Sequence, residues 1–410
     1  MKETAYSVQR SAFNGRTGVT APKGFRAAGI ACGIKKRKKD LALIYSEVPA
    51  VAAGVFTTNR LQAAPVLVTK EHIRPGTARA IIANSGNANC ATGKKGFGDA
   101  RRMASECAGL LGIQPREVLV ASTGVIGRPL PMDTVTQGIG SVVRNLSSQG
   151  SRSAAEAILT TDHTVKETAV RFSVGGHEIS LGGIAKGSGM IAPEMATMLC
   201  FITTDAKIAG PVLKRILSQV TETTFNAVTI DGEMSTNDMV LILANGKAGN
   251  PAIQSGSAAY QKFSAGLERV MGELAKMMVR DGEGATKFVE IDVTGAKNKG
   301  DAKKIAHRIA NSLLVKTMLH GADPNWGRIA ACVGSSGVPV RMNRVEITIG
   351  TILVFLKGEP VEHSREELKQ ILRNPEIQIG VDLGEGKADF TAWTTDLSAD
   401  YVKINSGYTS

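Results

Sequence analysis

Aromatic residues are scarce in this chain: two Trp, five Tyr and eleven Phe make up 4% of its 410 residues. A core built on large rings is thereby excluded, and the 45 Gly point to small-residue packing and many tight turns. Cysteine is also sparse, with Cys32, Cys90, Cys107, Cys200 and Cys332 widely spaced and no C-x-x-C pair. Such an odd-numbered set does not make a disulfide framework and reads as reduced, mostly buried thiols. The six His show neither H-x-x-x-H nor H-x-E spacing, so no zinc or other metal site is expected. No stretch approaches the ~20 apolar residues of a membrane span, and the first ten residues hold no apolar leader. A soluble, cytoplasmic protein with no membrane partner is the expectation.

What the chain has in excess is positive charge, a formal +12. A nucleic-acid-binding protein would interleave aromatics with its basic residues, and this chain does not. The single dense cluster, Lys35-Lys36-Arg37-Lys38-Lys39, lies between two strand-like runs. It reads as a solvated hairpin loop, or as a contact for an anionic ligand such as a coenzyme phosphate.

At this length two domains are expected. Strand-like runs at Leu41–Tyr45, Ala50–Thr57, Ala64–Val68, Ala80–Ala83 and Val118–Ala121 alternate with helical spacing over 98–111, 131–147 and 151–159. A hairpin is expected across Gly175-Gly176, with His177 disturbing its pairing. Helices follow near 210–223 and 256–279, and from about 285 the texture changes to alternating strands with helices near 300–319 and 364–373. Layers of helix on sheet, divided into 1–285 and 286–410, account for this order.

Several familiar sites fail on spacing. Gly187-Ser188-Gly189 is not a nucleophile elbow, and Gly93-Lys94-Lys95 lacks the glycine a phosphate-binding loop requires. The run Lys186–Cys200 carries more chemistry, because a small residue, Ala196, directly precedes a hydroxyl residue, Thr197. If that peptide bond broke, Thr197 would hold a hydroxyl beside its own α-amine, whose pKa of about 7.7–8.0 suits a base near neutrality. The same apolar surroundings also describe an ordinary buried strand. Residues 160–162, Thr-Thr-Asp, read as a cap or ligand loop, and His320–Arg328 as a surface loop or part of a site.

Five segments together carry a resemblance. Asn84–Cys90, Ser122–Gly127, Ala185–Cys200, Thr229–Asp238 and His320–Arg328 resemble, in order, the motifs of the ornithine acetyltransferase (glutamate N-acetyltransferase) family of arginine biosynthesis. The resemblance implies a precursor that cleaves itself between Ala196 and Thr197 into chains 1–196 and 197–410, assembled as a dimer of heterodimers. It implies an α-β-β-α sandwich built from both cleavage products, with a smaller C-terminal α/β domain whose tail returns to the active site. Thr197 would be the nucleophile, and Thr123 with Gly124 the oxyanion hole. Thr160, Lys186, Thr197, Glu283, Asn405 and Ser410 would bind substrate. The reaction implied passes acetyl from N2-acetylornithine to glutamate through an acetyl-Thr197 ester, with no bound cofactor. Members of the family either recycle acetyl in this way alone or also take it from acetyl-CoA, and no residue here separates the two, the second being the favoured expectation. An N-terminal-nucleophile aminopeptidase or amidase would share the cleavage but deliver water to the ester.

Overall fold

A computed structural model describes residues 16–192 and 198–407. Before the proposed cleavage point the chain forms β1 (Phe25–Ile30), β2 (Leu41–Phe56), α1 (Ala64–His72), β3 (Thr77–Asn87), α2 (Gly93–Leu111) and β4 (Val118–Val125). It continues through α3 (Met132–Arg144), α4 (Ser151–Ile158), β5 (Lys166–Val174) and β6 (His177–Lys186). Beyond that point come β7 (Leu199–Thr204), α5 (Gly210–Thr223), β8 (Met239–Ala244) and α6 (Ala258–Arg280). The eight strands make one sheet, ordered β4-β3-β2-β8-β7-β6-β5, with β1 added along the first half of β2. Strands β7 and β8 therefore lie between β2 and β6, although β2 and β6 both precede position 196.

Strand β2 spans 16 residues and changes register between Tyr45 and Ala50. Its first half pairs with β3 and its second with β8, so one continuous sheet turns from one layer into the next. Alternate side chains then face different cores. In β8, Met239, Leu241 and Leu243 face an inner core shared with Ile81, Leu119, Ile184, Phe201 and the alanines of α4. Val240 and Ile242 face outward onto α5 and α6, while Leu41, Ile82 and Val120 face outward onto α2 and α3. Helix, sheet, sheet, helix is the layer order of an α-β-β-α sandwich. Its inner layer is rich in alanine, including Ala42, Ala50, Ala83, Ala121, Ala154 and Ala157, as the shortage of aromatics requires.

A second sheet follows, built from β9 (Phe288–Ala296), β10 (Glu346–Ile349), β11 (Ile352–Leu356), β12 (Glu359–Pro360), β13 (Glu376–Asp382) and β14 (Ala388–Thr395). Its order is β12-β11-β10-β13-β9-β14, with β9 parallel to β13 and the other pairs antiparallel. The helices between and after them are α7 (Lys299–Ala310), α8 (Leu313–His320), α9 (Gly327–Gly334), α10 (Arg365–Arg373) and α11 (Ala399–Gly407). One core runs from Met278 and Val279 of α6 into Val289 and Ile291 of β9 and Ile305 and Ile309 of α7. Among the described residues no helix is long and apolar enough to cross a membrane.

Three local expectations are corrected. Ala64–Val68 is not a strand but the start of α1, where Pro65 occupies the first turn and its missing N–H is harmless. A short apolar run cannot by itself separate the two states. His177 does not disturb the hairpin, since it pairs directly with Val174 across Gly175 and Gly176, both at positive φ. The helical stretch near 300–319 breaks at Asn311–Ser312, where Ser312 caps α8 by accepting a hydrogen bond from the Val315 amide.

Candidate active site

The ends of β3 and β4 come together so closely at Gly124 that a side chain would collide with backbone. A Cβ placed there would lie 2.4 Å from the Gly86 carbonyl carbon, and Gly124 has φ +131. Only glycine fits both conditions. Asn237 fixes this loop from the opposite side, its amide donating to the carbonyls of Ala88 (2.7 Å) and Ser122 (2.8 Å). Thr123 next to it is nearly buried, and its hydroxyl accepts from the Lys186 ammonium at 3.4 Å.

Lys186 ends β6 and is only 3% exposed. Burial lowers its pKa, while the negative charge of Asp162 opposes that shift. For Asp162, burial works toward a higher pKa, but the Lys186 and Lys166 charges outweigh it and hold the carboxyl at about 2. Asp162 accepts from the Gly187 amide and the Lys166 ammonium, each at 2.7 Å, and from the Thr160 amide at 3.1 Å. It thus ties the loop after α4 to the end of β6.

Glu283 approaches from the segment after α6, its amide donating to the Ser188 carbonyl at 2.7 Å. Its carboxylate lies over Gly189, where a Cβ would sit 2.4 Å from Oε2. The chain's tail completes this side. Asn405 of α11 donates to Glu283 Oε2 at 2.9 Å, and the Tyr401 hydroxyl donates to Asp231 Oδ2 at 3.1 Å. Asp231 also receives the amides of Met190 and Ile191, both at 2.7 Å, so it joins the loop after β6 to α11.

These contacts enclose a cavity of about 90 Å³ lined by Thr123, Gly124, Thr160, Lys186, Glu283 and Asn405, with Thr161, Met190, Ser235, Thr236 and Asn237 between them. Every expected site residue that the structure describes lines this one cavity. Ala196, Thr197 and Ser410 lie outside the described residues. The flank of Thr197 is placed, however: the Met198 amide donates to Asp238 Oδ1 at 2.9 Å, and Leu199 pairs with Lys186. Asp238 is buried, its carboxyl raised well above the usual range by desolvation, and its Oδ2 has no hydrogen-bond partner among the described residues.

Asp162, Asp231, Asn237, Asp238 and Tyr401 are framework residues to which sequence reasoning assigned no individual role, although Asp162 stood in the expected cap or ligand loop and Asp231, Asn237 and Asp238 in the segment Thr229–Asp238. The signal for three of them was the polar run Thr229–Asp238, too polar for the burial that Ser235, Thr236, Asn237 and Asp238 adopt. His320 does not line the cavity. Its Nδ1 pairs with Asp396 Oδ2 at 2.7 Å, and Asp396 in turn accepts the amides of Thr286 and Lys287, bracing the turn into β9. A larger cleft of about 770 Å³ between α6 and β14 gathers none of the expected residues.

A glycine loop offering an amide and a hydroxyl, beside a buried ammonium and a carboxylate, suits acyl transfer on an amino-acid substrate. The fold and site thus describe an acyl-transfer enzyme on an α-β-β-α sandwich. A model of the ArgJ family matches residues 26–410. The chain is 49% identical over 394 residues to the arginine biosynthesis bifunctional protein ArgJ of Symbiobacterium thermophilum, covering 95% of this chain and 98% of that protein. It is 49% identical over 391 residues to the protein so named in Bacillus anthracis, covering 95% and 96%. A crystal structure of the Bacillus halodurans ArgJ protein matches at 42% identity and TM-score 0.49, covering 50% of this chain and 97% of that one. The chain belongs to the ArgJ family, the family its five motifs resemble.

Proposed function

We propose that the cavity at Thr123, Gly124, Lys186, Glu283 and Asn405 is where this chain, a self-processing glutamate/ornithine N-acetyltransferase, carries out both cleavage and transfer. Self-processing between Ala196 and Thr197 frees the Thr197 α-amine, which takes the hydroxyl proton as Oγ attacks the acetyl carbon of N2-acetylornithine. A C–O bond forms, the amide C–N bond breaks, and the proton passes to the departing ornithine amine. Glutamate's α-amine then attacks the ester, restoring the Thr197 hydroxyl and releasing N-acetylglutamate. Each half passes through an oxyanion facing the Gly124 amide and Thr123 hydroxyl.

The convergence of seven separate chain segments on one small cavity supports this reading. Lys186 is suited to a substrate carboxylate, and Glu283 with Asn405 to the side-chain amine of ornithine. Ser410, which lies outside the described residues, is assigned to substrate binding with them. We assign acetyl-CoA as a second acetyl donor, in keeping with the word bifunctional in the relatives' names, and a dimer of heterodimers as the assembly. The sandwich is taken as 1–285 and the smaller domain as 286–410.

Product analysis tests the reading. Purified protein given N2-acetylornithine and glutamate is expected to yield ornithine and N-acetylglutamate in equal amounts. Free acetate without N-acetylglutamate would replace transfer by hydrolysis, the outcome of an amidase.

A further inference from the structure

The basic loop between β1 and β2 is a built structure placed at the rim of the cavity. The fully buried carboxylate of Asp40 accepts the amides of Cys32 (2.6 Å), Gly33 (3.1 Å) and Lys35 (2.8 Å), which fixes the loop's shape. Two of its five cations are turned onto the protein: Lys35 Nζ donates to the Leu159 carbonyl at 2.9 Å, and Lys39 pairs with Glu156 at 2.8 Å. Lys36, Arg37 and Lys38 remain exposed and form no ion pair or side-chain hydrogen bond among the described residues. Three adjacent exposed cations, with no carboxylate paired to them among the described residues, hold a standing positive potential.

The place of the loop narrows what that potential serves. The Lys35 stem packs on Gly86, where a Cβ would lie 2.9 Å from Lys35 Cγ, and Gly86 is the register partner of Gly124. Leu159, which holds Lys35 Nζ, directly precedes the cavity residue Thr160. Lys35 also feels the charges of Asp162 and Lys186. Lys35 therefore sets the start of the three-cation run beside the Gly86–Gly124 pair and the chain leading into Thr160. No aromatic residue stands in the loop on which a base could stack. A ligand matched to this arrangement presents an acyl carbonyl to the Gly124 loop and carries several negative charges at the far end of a long stem.

We propose that Lys36, Arg37 and Lys38 are the docking surface for the phosphate groups of acetyl-CoA. This rests on the assignment of acetyl-CoA as a second donor. It adds a site outside the amino-acid cavity that only the phosphate-bearing donor would touch.

The test compares the self-processed wild-type protein with the triple variant Lys36→Ser, Arg37→Ser, Lys38→Ser. Binding of coenzyme A by calorimetry is expected to weaken on the order of tenfold in the variant, and the wild-type affinity to fall as salt is raised. The KM for acetyl-CoA should rise by a similar factor. Transfer from N2-acetylornithine to glutamate should be unchanged, as should the KM for the phosphate-free thioester S-acetyl-N-acetylcysteamine. Equal coenzyme A binding by both proteins, or none by the wild type, would overturn the docking surface. So would a KM for glutamate that rises with either donor, which would make the loop a general steering surface. Coenzyme A binding that depends on the loop, without any N-acetylglutamate formed from acetyl-CoA, would leave the docking surface standing and sink the donor assignment.

Discussion

Asn405 and Glu283, 122 positions apart in sequence, meet at 2.9 Å in the wall of the cavity. The contact joins the last helix of the chain to the segment that follows α6, and Tyr401 with Asp231 makes a second anchor one helical turn away. Loss of the amide in Asn405→Ala should raise KM for N2-acetylornithine about tenfold, the weight of one hydrogen bond to a charged group, with a smaller change in kcat. Asn405→Asp should be worse, because it sets a second carboxylate beside Glu283. Steady-state kinetics with varied acetylornithine distinguishes these outcomes, and an unchanged KM in both variants would remove the tail from the site.

Gly124 is fixed by backbone on two counts, its φ of +131 and the Gly86 carbonyl carbon 2.4 Å from any Cβ. The Gly124→Ala change must displace the loop whose amide is proposed to face the oxyanion. A fall in kcat of roughly 10²–10³-fold is expected, with slowed self-processing if one loop serves both reactions. Kinetics of the fraction already cleaved, together with intact mass over time, reads the two effects separately.

Thr197→Ala should persist as a single 43.1 kDa chain without transferase activity. Thr197→Ser retains a hydroxyl and should still be cut, though with altered rate. Denaturing gels and mass spectrometry decide the matter. An uncut protein with full activity would contradict the proposed nucleophile.

Asp162 is the negative partner of two buried ammonium groups, and its side chain is 0% exposed. Replacement by Ala removes the largest opposite charge acting on the buried Lys186 and leaves Lys166 with Asp281 alone, and breaking a buried pair in this way typically costs about 3–5 kcal/mol. The pH dependence has a definite sign. Because the folded carboxyl titrates at about 2 instead of its ordinary 3.8, its contribution is present above about pH 4 and is lost as pH falls toward 2. Urea midpoints measured across that interval should decline in the wild type and stay flatter in Asp162→Ala.

How legible all this was in the sequence varied with the kind of order involved. Strands β3 and β4 could be read from apolar runs, because burial on both faces leaves a continuous hydrophobic signature. Ala64–Val68 carried the same signature and is helical, since Pro65 and the neighbouring helices, not periodicity, decide it. The cavity was not legible from spacing: Thr123, Thr160, Lys186, Glu283 and Asn405 are far apart in sequence and came together through likeness to a family. Its framework was less legible still. Asp162 and Asp231 stand in polar segments that the sequence did mark, but each also accepts amides from a distant loop, Gly187 for the first and Met190 with Ile191 for the second, and no local pattern announces those partners.

The insertion of β7 and β8 between β2 and β6 gives the cleavage event an arrow. One precursor can thread its strands while they share a chain, each half held near the other at high effective concentration. After scission at the proposed 196/197 bond, the product 197–410 would be hydrogen-bonded along both flanks by strands of product 1–196, at β2 with β8 and at β6 with β7. Neither product can leave without breaking the sheet. Once denatured, the halves must find one another again, so recovery becomes second order in protein and dilution works against it. The molecule is assembled once, as one chain, and is afterwards held by its weave.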